Sequence, residues 1–200
     1  MSKAQQKREK ALEAAMQLFW RKGYHATSLK DLENALDMRP GSIYAAFKSK
    51  EDLFIAAMAL YVQATTDKIG GIMQAATTPL AGLAEYVRAQ VASACTDNPE
   101  PACMLAKTVL EMTDDDTKAG DAARDFLQGA EAYFAQAFEQ AKLDGQLPAD
   151  ADAIRLARQY QAKVFGLNVF AQRCQDWDIL RALSEDLAQE VENLGKAQAA

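Results

Sequence analysis

Apolar residues recur every three or four positions along almost the whole chain, the spacing of helices that bury one side. Over residues 7–22 this spacing is kept by Leu12, Ala15, Leu18, Phe19 and the stem of Lys22, and Gly23 then predicts a stop. Ser28-Leu29-Lys30-Asp31 reads as a capping box that opens a short second helix with Leu29, Leu32 and Leu36 turned inward. Asp37 falls in the turn that follows, where a residue tolerant of the left-handed region is useful. Pro40 suits the first position of a third helix, because its missing N–H would be unpaired there in any case. That helix runs to about Ala46, with Ile43 and Phe47 four apart on its inner face.

Ser49-Lys50-Glu51-Asp52 predicts a second capping box and a long helix to about residue 76. Thr78-Pro79 predicts the cap and first residue of a helix ending near Cys95, and residues 96–101 read as a loop. A helix over 102–112 follows, then an acidic break at Asp114–Asp116 that caps a helix over 117–143. Gly145 and Pro148 interrupt the pattern again. Asp150 predicts the cap of a helix over 151–173, and a last helix covers 177–195. No segment alternates as a strand would, and no repeat is visible, so the expected fold is all-α with about nine helices.

Composition narrows the class without changing that picture. Half of the 200 residues are hydrophobic and a quarter are charged, as in an ordinary globular protein with a proper core. The charged N-terminus lacks the apolar run of a secretory signal. The longest uncharged stretch, residues 69–84, is too short and too polar to span a bilayer. The expectation is a cytoplasmic protein with no membrane partner. Cys95, Cys103 and Cys174 are odd in number and widely spaced, which argues against a disulfide framework or a zinc site. The net charge of −6 conceals an asymmetry: residues 1–50 carry +5 and residues 51–200 carry −11. A basic head on an acidic body is the footprint of a local polyanion contact, with the body repelled by phosphate.

Nothing in the chain predicts an enzyme. His25 is the lone histidine, and it reads either as a surface loop residue or as one member of a catalytic set whose partners are not evident. No G-x-S-x-G, P-loop or H-E-x-x-H motif occurs. Asp114–Asp116 reads as a capping loop before it reads as a cation site, and no cofactor is expected.

Three short helices with a tight turn between the second and third make a helix-turn-helix. In that arrangement the first helix supports, the second crosses the phosphate backbone and the third enters the major groove. At these residues the chain resembles the TetR family of regulators. The resemblance is carried by Ala11-Leu12-x-Ala14-Ala15-x-x-Leu18-Phe19-x-x-x-Gly23-Tyr24, by Thr27-Ser28-Leu29-x-Asp31-Leu32, and by Gly41-Ser42-Ile43-Tyr44-x-x-Phe47-x-x-Lys50-Glu51-x-Leu53-Phe54. Two departures stand out. The family's usual Ala-Gly-Val-Ser turn is Leu36-Asp37-Met38-Arg39 here, and its frequent His before the Phe is Ala46. Arg39 cannot cap a helix N-terminus and opposes its dipole, which makes sense where it points at guanine or phosphate.

The resemblance implies a DNA-binding head over 1–50 and an effector-binding, dimerising domain over 51–200. It implies a repressor released from double-stranded operator DNA by a small lipophilic or reactive molecule. Implied DNA contacts are Thr27, Ser28, Arg39, Pro40, Gly41, Ser42, Tyr44, Lys48 and Lys50. Thr27 and Ser28 serve first as caps; Tyr44 reads either as a core aromatic or as a contact to backbone or thymine methyl; Lys48 and Lys50 read either as phosphate ligands or as solvated lysines. Implied effector-lining residues are Tyr61, Met73, Tyr86, Cys103, Met104, Met112, Phe126, Tyr133, Phe134 and Phe165, all of which could equally be plain core. Cys103 opens a helix after a Pro-rich loop, where a thiol pKa is lowered, and partly resembles the family's thiol-sensing branch. Leu156, Tyr160, Lys163, Val164, Leu167, Leu180, Leu183, Leu187 and Leu194 form a stripe that pairs two copies into a homodimer or packs within one. The alternative function is a small-molecule-binding helical adaptor that no longer binds DNA.

Overall fold

The computed structural model describes residues 3–96, 102–113, 117–174 and 176–195. Among the described residues it holds nine α-helices and no strand: α1 (Lys3–Lys22), α2 (Leu29–Leu36), α3 (Pro40–Phe47), α4 (Lys50–Ala75), α5 (Pro79–Ala94), α6 (Met104–Glu111), α7 (Thr117–Leu143), α8 (Ala153–Ala171) and α9 (Trp177–Asn193). Of the loop expected at 96–101, residues 97–101 lie outside the described residues, as does the acidic break at 114–116. Most helix ends fall within two residues of the apolar pattern. The start of α1 lies four residues earlier, because Ala, Gln, Lys, Arg and Glu favour the helical backbone even without a buried face.

The caps explain where the helices begin. The Asp31 N–H donates to Ser28 Oγ (3.1 Å) and the Ser28 N–H donates to Asp31 Oδ2 (2.7 Å), a complete capping box. At α4 the Asp52 N–H donates to Ser49 Oγ (2.9 Å), and at α5 the Ala81 N–H donates to Thr78 Oγ1 (3.2 Å). The cap of α8 is Asp152, which accepts from the Arg155 N–H (3.0 Å), and not Asp150 as expected. The Ala151 N–H donates to the Pro148 carbonyl (3.0 Å), so a turn comes first and delays the helix by two residues.

Two compact units form. One joins Met1–Thr66 to Met104–Leu127, and the other joins Asp67–Cys103 to Gln128–Ala200. The first unit buries Ala11, Ala15 and Phe19 of α1 with Leu32 and Leu36 of α2, Ile43 and Phe47 of α3, and Leu53, Phe54, Ala57 and Met58 of α4. Phe54 meets the edge of Phe19 at 4.9 Å and Tyr24 at 4.8 Å between ring centroids, the offset geometry that aromatic quadrupoles prefer.

The second unit buries Leu83, Tyr86, Val87, Phe134, Phe138, Tyr160, Val164 and Val191 in one cluster. Tyr160 donates its hydroxyl proton to the Leu83 carbonyl (2.7 Å), which satisfies the one polar atom that its burial would strand. Burial pushes the Tyr160 phenol well above its ordinary pKa and keeps it a donor. The leucine stripe divides. Tyr160, Val164 and Leu180 are buried inside their own unit, whereas Leu156, Leu167, Leu187 and Leu194 are half-buried and Leu183 is exposed.

Helix α5 is fastened to α9 by polar groups as well as apolar ones. The Ser184 hydroxyl donates to the Val87 carbonyl (3.3 Å). Arg88 donates through Nε and Nη2 to both oxygens of Glu185 (2.8 and 3.0 Å) and through Nη1 to Glu192 (2.8 Å). The hydrogen bonds from Arg88 bring the Glu185 carboxyl from the ordinary 4.5 to about 2. A depressed carboxylate contributes stability above its unfolded pKa and loses it as pH falls through the folded value. Wild-type protein is therefore expected to melt at a higher temperature than Arg88→Met at pH 6, with the gap closing between pH 4.5 and 2. Thermal melts followed by circular dichroism across that range check it; a gap that stays constant to pH 2 would rule out the Glu185 linkage.

Candidate nucleic-acid interface

Helix α3 presents one face outward. Ile43 and Phe47 anchor it in the core, and other residues of the helix look away: Gly41, Ser42 and Tyr44 are exposed, with Tyr44 at 42%. Of the two readings of Tyr44, the structure takes the outward one. Arg39 flanks the helix at its N-cap, exposed and making no side-chain cap, while its carbonyl accepts from the Ser42 and Ile43 N–H groups (2.9 and 3.1 Å). Pro40 fills the first position as expected. Nothing lies within 4 Å of a Cβ built on Gly41, so the backbone is open to close approach there.

The far end of α3 is shaped by a tight link. Lys48 takes φ 67° and ψ −55°, and the Ser49 N–H donates to the Phe47 carbonyl (2.8 Å) across it. This is the strained, non-inverse γ-turn, unusual for a residue with a side chain. It leaves Lys48 exposed beside the start of α4. Lys50, the first residue of α4, is half-buried with its ammonium 4.4 Å from the Tyr24 ring centroid, a cation–π contact.

The start of α2 is placed differently from expectation at one position. Thr27 was expected to share the cap with Ser28, but it is only 1% exposed and donates its hydroxyl proton to the Gly23 carbonyl (2.6 Å). It closes the turn from inside, and Ser28 alone caps and stays exposed. Lys22 donates to Asp31 (2.5 Å), and this bond, ahead of those from Ser28, holds the Asp31 carboxyl far below the usual carboxylate range. His25 is exposed in this turn, on the surface-loop side of its two readings.

Behind this face, α6 grips the end of α1. Gly23 stops α1 at φ +86°, its N–H donating to the Phe19 carbonyl (2.8 Å). Glu111, the last residue of α6, accepts the N–H groups of Tyr24 (3.0 Å) and His25 (2.6 Å). One turn earlier, Lys107 donates to the carbonyls of Trp20 (2.7 Å) and Arg21 (3.4 Å) in the last turn of α1, where helical N–H groups run out. A Cβ on Gly23 would lie 2.7 Å from a Glu111 oxygen, so the same position is glycine for two reasons.

The effector candidates fall in both units. Tyr61, Met104, Met112 and Phe126 belong to the first, where Tyr61 packs edge-on against Trp20 (5.1 Å) and Met104 is buried. Met73, Tyr86, Cys103, Tyr133, Phe134 and Phe165 belong to the second. There Phe134 stands 6.1 Å from both Tyr86 and Tyr133, so three candidates form a contiguous aromatic group, and the Met73 sulfur lies over Gly82. Burial, then the neighbouring Cys103, pushes the Tyr86 phenol upward in pKa. Cys103 is half-buried just ahead of α6. Burial also pushes up the Cys95 thiol, which favours the unreactive protonated form.

Residues 11–57 match the profile described as bacterial regulatory proteins, tetR family, and residues 79–185 match that of the Tetracyclin repressor-like, C-terminal domain. The chain belongs to the TetR family. Among TetR relatives, the HTH-type transcriptional repressor ComR of Escherichia coli (strain K12) is 28% identical over 167 residues, covering 82% of this chain and 79% of that protein. The HTH-type transcriptional repressor BdcR of the same organism is 43% identical over 54 residues, 27% of each chain. A cysteine mutant of the TetR regulator CifR, solved in complex with 26-bp double-strand operator DNA, superposes with a TM-score of 0.83 at 31% identity, covering 90% of this chain and 94% of that one.

In this TetR regulator the residues missed by sequence reading are Lys107 and Glu111. They lie 86 or 87 residues from what they hold, and no local pattern links a charged residue on one helix to backbone groups on another. Their effect is measurable. Glu111→Ala is expected to cost about 1.5–3 kcal/mol, the range for hydrogen bonds to a charged group. Gly23→Ala is expected to cost at least about 1 kcal/mol from the left-handed backbone alone. The double variant should cost less than the two together, because the Glu111 carboxylate is what the added methyl would strike. Urea denaturation of the three variants gives the comparison; strict additivity would mean that Glu111 does not occupy that space in solution.

Proposed function

We propose that this chain is a homodimeric repressor that binds a two-fold operator through α3 and releases it when a small lipophilic or reactive effector is bound. The observation that carries the proposal is the outward face of α3: Gly41, Ser42 and Tyr44 exposed on a helix anchored by Ile43 and Phe47, with Arg39 and Lys48 at its two ends. One helix of that size fits the major groove, and its free side chains then meet base edges and phosphates. Membership of the TetR family and the operator complex of the CifR mutant support the same reading. Arg39 and Tyr44 are the base readers, and Ser28, Lys48 and Lys50 the phosphate ligands. Ser42 and the Pro40-Gly41 backbone allow the close approach.

Two heads require two copies. Ile154, Val169, Ile179 and Leu183 of α8 and α9 are exposed apolar side chains that a second copy would cover. The same two helices, with Phe138, line a groove that includes Leu156, Tyr160, Leu187, Val191 and Leu194 and the ion pair of Lys163 with Glu190. The effector site is drawn from the candidates of the second unit, the aromatic group of Tyr86, Tyr133 and Phe134 foremost, with Cys103 of the same unit as the thiol placed to meet an electrophile. The grip of Lys107 and Glu111 on α1 is the connection through which a shift of α6 would move the head.

Two outcomes are expected. Gly41→Ala should raise folding stability by roughly 0.5–1 kcal/mol, because helical Gly costs that much against Ala and the site is open. The same change should weaken operator binding, since the added methyl meets the duplex. Thermal melts and fluorescence anisotropy on duplexes selected by the wild-type chain separate the two effects; unchanged affinity would move α3 away from the groove. Second, Leu183→Glu should yield a monomer that keeps its helical content, because the residue is 39% exposed in one copy and an unpaired carboxylate in an apolar seam is costly. Sedimentation velocity reads this directly, and a variant that still sediments as a dimer would place the interface elsewhere.

A further inference from the structure

The first turns of α1 carry positive charge that none of the contacts above uses. Lys7, Arg8 and Lys10 are exposed, and among the described residues no acidic side chain is paired with them. Lys22, Lys30 and Lys118 of the same unit, by contrast, each hold a carboxylate. Arg8 precedes Ala11 by three residues and Ala15 by seven, so it continues the buried face of α1 beyond its last core residue. Lys7, four before Ala11, flanks it. The acids Glu9 and Glu13 lie four apart on a different side of the helix.

The Arg8 guanidinium lies 5.0 Å from the centroid of the Phe47 ring. Phe47 is the last residue of α3, and the exposed Lys48 follows it. The cation–π contact therefore holds the start of α1 at the end of the recognition helix. Arginine keeps its N–H groups available while its face is stacked, and its fork matches a phosphodiester.

From this placement we propose a further DNA site: Arg8, with Lys7 beside it, binds the phosphate backbone flanking the groove that α3 occupies, so that α1 is a phosphate clamp as well as a support. The proposal rests on the reading of α3 as a major-groove helix. Its ligand is the phosphodiester of duplex DNA, and it adds affinity without sequence preference.

The test uses the full chain, a 30-bp duplex recovered by the wild type from a random pool, and a mixed-sequence 30-bp duplex. Arg8→Gln and Lys7→Gln should each weaken binding to both duplexes by a similar factor, roughly tenfold. Each should also lower the slope of log affinity against log salt by about 1.8, which is about 0.9 for each of two heads. Melting temperature should drop only slightly for Arg8→Gln, as the stack on Phe47 is lost, and not for Lys7→Gln, and Arg8→Lys should recover most of the slope. A lowered melting temperature with an unchanged slope would make the stack plain packing and overturn the proposal. Loss on the selected duplex alone would make Arg8 a base reader and overturn it too. If wild type and variants bind DNA equally, only this clamp fails; if wild type binds neither duplex, the reading of α3 fails and takes the clamp with it.

Discussion

Helix α1 has to end at Lys22, because the next residue adopts a backbone that an L side chain resists and because a carboxylate fills the space where a Cβ would be. Glu111 then holds two amides just past the stop, Lys107 holds two carbonyls just before it, and Thr27 ties the turn shut from inside. The direction in which α2 leaves follows from these bonds. Through the packing of Leu32 and Leu36, so does the attitude of α3. A binding face built of only eight residues is thus oriented by backbone hydrogen bonds as well as by its own small core.

The second unit solves a different problem. It buries two tyrosines and a serine, and each such hydroxyl needs a partner in a setting without water. Tyr160 and Ser184 both find theirs in carbonyls of α5, Leu83 and Val87, one helical turn apart. Helix α5 is therefore pinned along its length from α8 and α9 at once, and Arg88 adds a charged brace on the solvent side of the same contact. Polar bonds of this kind fix rotation and register, which apolar contact leaves loose.

Local structure was legible in the sequence and long-range structure was not. The apolar period placed all nine helices, and Ser28, Ser49, Thr78, Pro40 and Gly23 marked ends that the structure keeps, because caps and stops act over three or four residues. Asp150 was the wrong cap: two aspartates two residues apart satisfy the same rule, and the turn closed by the Pro148 carbonyl chose Asp152. Thr27 was misjudged for a related reason, since a hydroxyl beside a cap carries no sign of whether it faces solvent or the preceding turn. Tyr44 and the outward face of α3 could be read from Ile43 and Phe47 alone. The stack of Arg8 on Phe47 and the hold of Glu111 on Tyr24 could not, as both join residues far apart in the chain.

The γ-turn at Lys48 bears on how this molecule can be improved. A glycine would sit there with less strain, roughly 1–3 kcal/mol being the range for an outlying backbone. On the proposed reading of α3, the lysine keeps a cation at the edge of the duplex at that cost. Selection for heat resistance alone would push this position toward glycine, and selection for grip on DNA would push it back. Engineering for shelf life and engineering for tight repression therefore pull against each other at a single residue.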